Sequence, residues 1–135
     1  MVDFAEINYV AVLIATVTTM VLGFLWYSPV LLGNAWMKHR NLSKNEISGG
    51  GAMTYVLTAL TALGGSFILA LLLTLTDEST IWTGLVIGLL IGISVSLKIG
   101  MNYLFEGHKL GLYLITIGYH LISYAIAGLI IGCMQ

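Results

Sequence analysis

His120 is where this sequence concentrates its chemical capacity. An imidazole can take or release a proton near neutral pH, donate and accept hydrogen bonds, or ligate a metal. This one stands in an otherwise apolar stretch, beside Tyr119, with Thr116 and Tyr124 about one helical turn to either side. An ionisable group in such surroundings needs a partner or a water-filled cavity. Two readings therefore stay open. One is a proton-handling or ligand-binding site. The other is a neutral histidine hydrogen-bonded between helices, with Tyr119, Tyr124 or a hydroxyl from another helix as its partner.

Haem ligation would need a second histidine at similar depth, and His39 and His108 lie in connections. Cys133 is the one cysteine, so neither an internal disulfide nor a metal-type cysteine spacing is available. It reads as a small apolar residue at a helix end. No cofactor and no metal are expected. No nucleophile–base–acid set is visible, and Asp77 and Glu78 fall in a turn, so no catalytic residue is assigned. A membrane enzyme using His120 is the least favoured reading.

A second group is Lys98, Asn102 and Glu106, spaced i, i+4, i+8, which a continuous helix would stack on one face. Lys98 reads as snorkelling to a membrane interface, with pairing to Glu106 in a vestibule as the alternative. Trp26, Tyr27 and Trp36 read first as an aromatic belt at the interface.

The elements that must position these groups follow from composition. Of 135 residues, 59% are hydrophobic and 8% charged. Soluble domains carry roughly 25% charged residues, and a chain so short of charge lacks the polar surface to stay dissolved. The net charge of −1 provides no basic field for nucleic acid. Four apolar runs cover about 7–25, 55–75, 81–97 and 112–134. Each fits the roughly 20 helical residues that a bilayer core requires. Lipid cannot satisfy backbone polar groups, so the runs must be helices. The expected fold is all-α and polytopic: one transmembrane domain over 1–135, with four spans at about 7–27, 53–75, 81–100 and 111–134. The acidic N-terminus has neither the positive region nor the cleavage site of a signal peptide, so the first span is expected to be retained.

The connections differ in kind. Thr76 to Thr80 is a tight antiparallel turn. The first connection is longer. Ser28-Pro29 can start a short interfacial helix, with Ser as N-cap and Pro at the first helical position. Ser43 and Glu46 have capping-box spacing, and Gly49-Gly50-Gly51 reads as a flexible joint rather than a phosphate loop. The third span is expected to run past the membrane surface and stop at Gly107. Lys38, Arg40 and Lys44 lie in the first connection, and Lys98 and Lys109 flank the third. Short basic loops stay cytoplasmic, so both termini are expected outside the cytoplasm, in a multi-pass protein of the cell (inner or plasma) membrane.

Small residues mark packing faces. Gly84, Gly88, Gly92, Ser96 and Gly100 recur every four residues, a glycine-zipper ridge along the third span. Gly128 and Gly132 repeat the spacing in the fourth. Thr54, Thr58, Thr61 and Gly65 form a small polar stripe in the second. Such ridges let backbones approach closely, which drives helix association in lipid. The ridge could serve within one subunit or between subunits, and self-association as a dimer or trimer is expected.

Three stretches together resemble a known family: Trp26-Tyr27-Ser28-Pro29 with Gly33 and Trp36, then Asn102-Tyr103-Leu104-Phe105-Glu106, then Gly118-Tyr119-His120 with Ser123 and Gly128. They are similar to a bacterial family of small four-helix membrane proteins classed as a domain of unknown function, over nearly the whole chain. The resemblance implies a fold and a membrane location, but no activity. It adds weight to Trp26, Tyr27, Pro29, Asn102, Glu106, Tyr119 and His120. The chain departs from the family pattern at Gly107-His108, where basic residues would follow the glutamate, and this removes support for an anion-contacting role there. The reading is a small homo-oligomeric membrane protein that binds or moves a small solute or ion. A non-catalytic membrane scaffold is the alternative.

Overall fold

A computed structural model describes residues 3–28, 31, 33–40 and 51–135. Among these residues, five α-helices follow a short 3₁₀ turn at Phe4–Glu6: α1 Tyr9–Trp26, α2 Gly33–Arg40, α3 Gly51–Leu73, α4 Ile81–Glu106 and α5 Leu110–Met134. There is no strand among the described residues. All but α2 are long and apolar enough to cross a membrane, which makes this a multi-pass membrane protein.

Side-chain caps set the helix starts. Asn8 accepts from the Ala11 N–H to open α1, and Thr80 accepts from the Thr83 N–H to open α4. The stop expected at Gly107 is where α4 ends, and the residue takes a left-handed conformation (φ 72°) that suits glycine. Near Ser28 the chain turns before it becomes helical. The Ser28 carbonyl accepts from the Leu31 and Gly33 N–H groups, and α2 begins at Gly33. Pro29, Lys44, the Ser43–Glu46 pair and Gly49-Gly50 lie outside the described residues.

The most intimate contact joins α4 and α5. A side chain on Gly84 or Gly128 would run into the other's carbonyl oxygen, one on Gly88 into the Tyr124 carbonyl, and one on Gly132 into the Thr80 carbonyl. Higher up, a Cβ on Gly92 would lie 3.3 Å from Leu121 Cα, and one on Gly100 would lie 3.0 Å from the Tyr113 hydroxyl. The α4 ridge thus faces α5 of its own chain, backbone on backbone.

One end of the bundle gathers the N-terminal turn, the α3–α4 turn and the C-terminus. There Ile7, Ala11, Val12, Ala15, Leu69, Ala70, Leu73, Ala127 and Ile131 form the apolar core. Hydrogen bonds tie its members. Asn8 Nδ2 donates to the Met134 carbonyl (2.9 Å), Gln135 Nε2 to the Ala70 carbonyl (2.9 Å), and the Asp3 N–H to Thr74 Oγ1 (3.2 Å). Toward the opposite end α3 loses its cover: residues 52–58, 60 and 61 are all exposed.

Candidate functional site

Where α3 stands off, a cavity of about 290 Å³ lies between it and the other spans. Its base is at Ser66 and at Ala127, which belongs to the apolar core. Thr19 and Met20 line it from α1, Thr58, Thr61 and Gly65 from α3, Val95 from α4, and Tyr119, His120, Ser123 and Tyr124 from α5. The threonine stripe of the second span and the histidine of the fourth therefore face the same space. On α5, residues 120, 123, 124 and 127 recur at three- and four-residue intervals, which puts them on one side of the helix.

Several lining groups are held by neighbouring backbone. The Tyr119 hydroxyl donates to the Thr19 carbonyl across the α1–α5 contact (3.0 Å). Gly23 makes the room, since a Cβ there would lie 3.1 Å from that hydroxyl. Gly65 does the same for Tyr124, whose hydroxyl lies 2.9 Å from the position of a Cβ. The Ser123 hydroxyl bonds back to the His120 carbonyl (3.1 Å).

His120 itself departs from the sequence expectation. No hydrogen bond holds its imidazole among the described residues. Tyr119 touches it ring to ring, with centroids 5.2 Å apart. The expected hydroxyl partners are not on it: Tyr119 is committed to α1, and Tyr124 points its hydroxyl toward Gly65. The ring is left facing the cavity.

The aromatic residues after α1 turn inward. Trp26 Nε1 donates to the Ile115 carbonyl of α5 (2.9 Å), and Gly118 leaves space for the indole. Tyr27 packs edge-on against Tyr119 (5.8 Å) and against Trp36 of α2 (5.9 Å). Trp36 and Tyr27 thus link α2 to Tyr119 in the cavity wall, and Trp26 ties the end of α1 to α5. The pairing of large rings with Gly23 and Gly118 was the signal available in the sequence.

Lys98, Asn102 and Glu106 do not reach the cavity. All three are exposed on the last turns of α4. Lys98 and Glu106 are eight residues apart, a rise of roughly 12 Å along a helix, too far for an ion pair. Glu106 instead meets His108 at 2.7 Å, beyond the αL turn. Sequence reasoning passed over Met20, Ser66 and Val95, which look like ordinary span residues until the helices are packed. No group of three or more His, Cys, Asp or Glu residues that could hold a metal occurs among the described residues.

No curated protein and no solved structure matches this chain. A family model does, over residues 10–132, and its description is a protein of unknown function. That stretch takes in nearly all of the four spans, the ridge glycines and every described lining residue of the cavity. The chain belongs to the family of proteins of unknown function DUF1761.

Proposed function

We propose that this protein receives a small polar solute in the cavity around His120, entering from the end that carries the basic connections. One observation carries the reading: an imidazole inside a membrane span, with no hydrogen-bonding partner among the described residues, faces a cavity edged by hydroxyl groups. A polar group left unpaired in an apolar medium costs several kcal/mol. Water or a ligand in the cavity removes that cost. The tight end blocks passage in this conformation, so the arrangement is a vestibule closed at one side.

The orientation belongs to the same proposal. Lys38, Lys98 and Lys109 lie at or toward the open end, while the termini and the α3–α4 turn lie at the other. Lysine-rich loops stay in the cytoplasm, so the vestibule opens inward and both termini face outward. The α2 segment, joined to Tyr119 through Trp36 and Tyr27, fits a place along the inner interface. Self-association as a dimer or trimer loses the α4 ridge as its seam, because α5 fills it. The exposed first half of α3 is one surface open to a partner copy.

Cysteine accessibility tests the reading. In a Cys133→Ser background, Thr61→Cys should react with a membrane-impermeant thiol reagent from the cytoplasmic side at least tenfold faster than Leu60→Cys. Thiolate chemistry needs water, and Leu60 faces away from the cavity lining. Equal, slow labelling of both would sink the vestibule, and faster labelling from outside would reverse the orientation. In proteoliposomes, flux of ions and small organic solutes above empty vesicles would add movement to binding. A dry Thr61 together with no flux would favour the scaffold alternative.

A further inference from the structure

The chemical class of the solute follows from where the cavity's hydroxyl protons go; this inference rests on the solute-binding reading above. Thr58 donates to the Thr54 carbonyl (2.7 Å) and Thr61 to the Thr58 carbonyl (2.7 Å). Tyr119 donates to Thr19 and Ser123 to His120, as described. A hydroxyl has one hydrogen and two lone pairs. Toward anything in the cavity these four groups can therefore only accept. Such back-bonding is common for Ser and Thr in apolar helices, and any one case would mean little. Here all four border one cavity, beside an imidazole that no side chain holds.

The remaining polar side chains, Thr19, Ser66, Tyr124 and His120, can each offer one hydrogen, but each accepts as well. The Met20 sulfur is a weak acceptor. Acceptors thus outnumber donors. None of the described lining residues is Asp, Glu, Lys or Arg. An anion would meet mostly lone pairs, with no cation to offset its charge. A desolvated cation would find no carboxylate, and an unpaired ion at this depth is expensive. A volume of about 290 Å³ is near the lower end of small-molecule sites, roughly 300–1,000 Å³.

We propose that the cavity selects a small neutral molecule carrying several N–H donors, the chemistry of a urea or a primary amide. Its hydrogens would reach the fixed oxygens of Thr58, Thr61 and Ser123, and its carbonyl would accept from Tyr124 or the imidazole.

The test uses the full chain in lipid nanodiscs with ¹⁵N-labelled histidine, the His120 signals being assigned by their loss in His120→Gln. Urea and formamide are titrated against N,N-dimethylformamide and dimethyl sulfoxide, which are of similar size but have no donors. The donor-bearing probes should shift His120 at concentrations at least tenfold lower. Acceptor-only probes that match them, or methylammonium or formate saturating the site first, would overturn the class while leaving a solute site in place. Silence from every probe would overturn both. Thr58→Val with Thr61→Val removes two fixed oxygens on an exposed stretch that the core does not use. It should weaken urea at least fivefold with the melting temperature unchanged, and an unaltered urea titration would overturn the proposal.

Discussion

The two ends of this bundle are built from similar residues and reach opposite results. At the end holding the termini, Leu69 is 0% exposed and alanines 11, 15 and 127 let the helices close over it. At the other, Leu60 of the same helix is 57% exposed. Hydrophobicity cannot account for the difference, because lipid is as apolar as leucine and does not drive helices together. What differs is the side chain on the facing surface. Small residues oppose α3 at the closed end. At the open end α5 presents the rings of His120 and Tyr124 to the cavity, and Tyr124 meets α3 only where Gly65 makes room for it. The cavity is the gap between α3 and these rings.

The comparison can be broken most directly at the α4–α5 seam, which keeps both ends attached. Gly84→Leu should cost about 3 kcal/mol or more, since its side chain meets backbone and no rotamer escapes. A variant unfolding together with wild type in denaturant titrations would show that the seam is not close-packed. Next, Leu69→Ala should cost about 2 kcal/mol, near the low end for buried leucines, because lipid leaves only the packing part of the usual penalty. Leu60→Ala, measured alongside, should stay within about 0.5 kcal/mol. Equal losses at the two positions would erase the contrast between the ends.

Smaller effects sharpen it. Asn8→Ala removes the helix cap and the bond to Met134, and should lower stability by about 1 kcal/mol. His120→Leu should be the mildest, within about 0.5 kcal/mol of wild type, because no buried partner is stranded. A loss of 2 kcal/mol or more there would mean that the imidazole is a structural hydrogen-bonding group and that the cavity is dry.

Much of the fold is legible from residue types alone. Span length and charge depletion give four helices, Gly107 marks where α4 stops, and the four-residue glycine spacing marks a close-packed face. The spacing does not say which helix covers that face. Any small-residue ridge of matching pitch would serve; both neighbours of α4 are joined to it by short turns, and it is α5, with Gly128 and Gly132, that fills the ridge. The site is less legible. His120 stands out by its type, and the threonine stripe by its period. That they share a cavity depends on α3 standing off, which is a matter of how the helices pack and not of residue type. The absent partner of His120 depends on a distant carbonyl, that of Thr19, having taken the Tyr119 hydroxyl. Trp26 was legible as an interfacial ring and not as a donor to Ile115, since a periodic pattern shows a face and not its neighbour.

The bonds from α1 to α5 also carry a consequence for the newly made chain. Trp26 to Ile115 spans 89 residues and Tyr119 to Thr19 spans 100, whereas the bonds across the α4–α5 hairpin, Tyr113 to Ser96 and Tyr103 to Thr116, span 17 and 13. Contacts near in sequence close first. The hairpin can assemble as soon as α5 enters the bilayer, while α1, which packs on α3 through Ala11, Val12 and Ala15, gains its bonds to α5 only after the last span is made. The cavity wall that α1 provides is thus among the last surfaces completed. Until then His120 has no enclosed space to face, and a chain halted before α1 docks would be inserted in the membrane without a binding site.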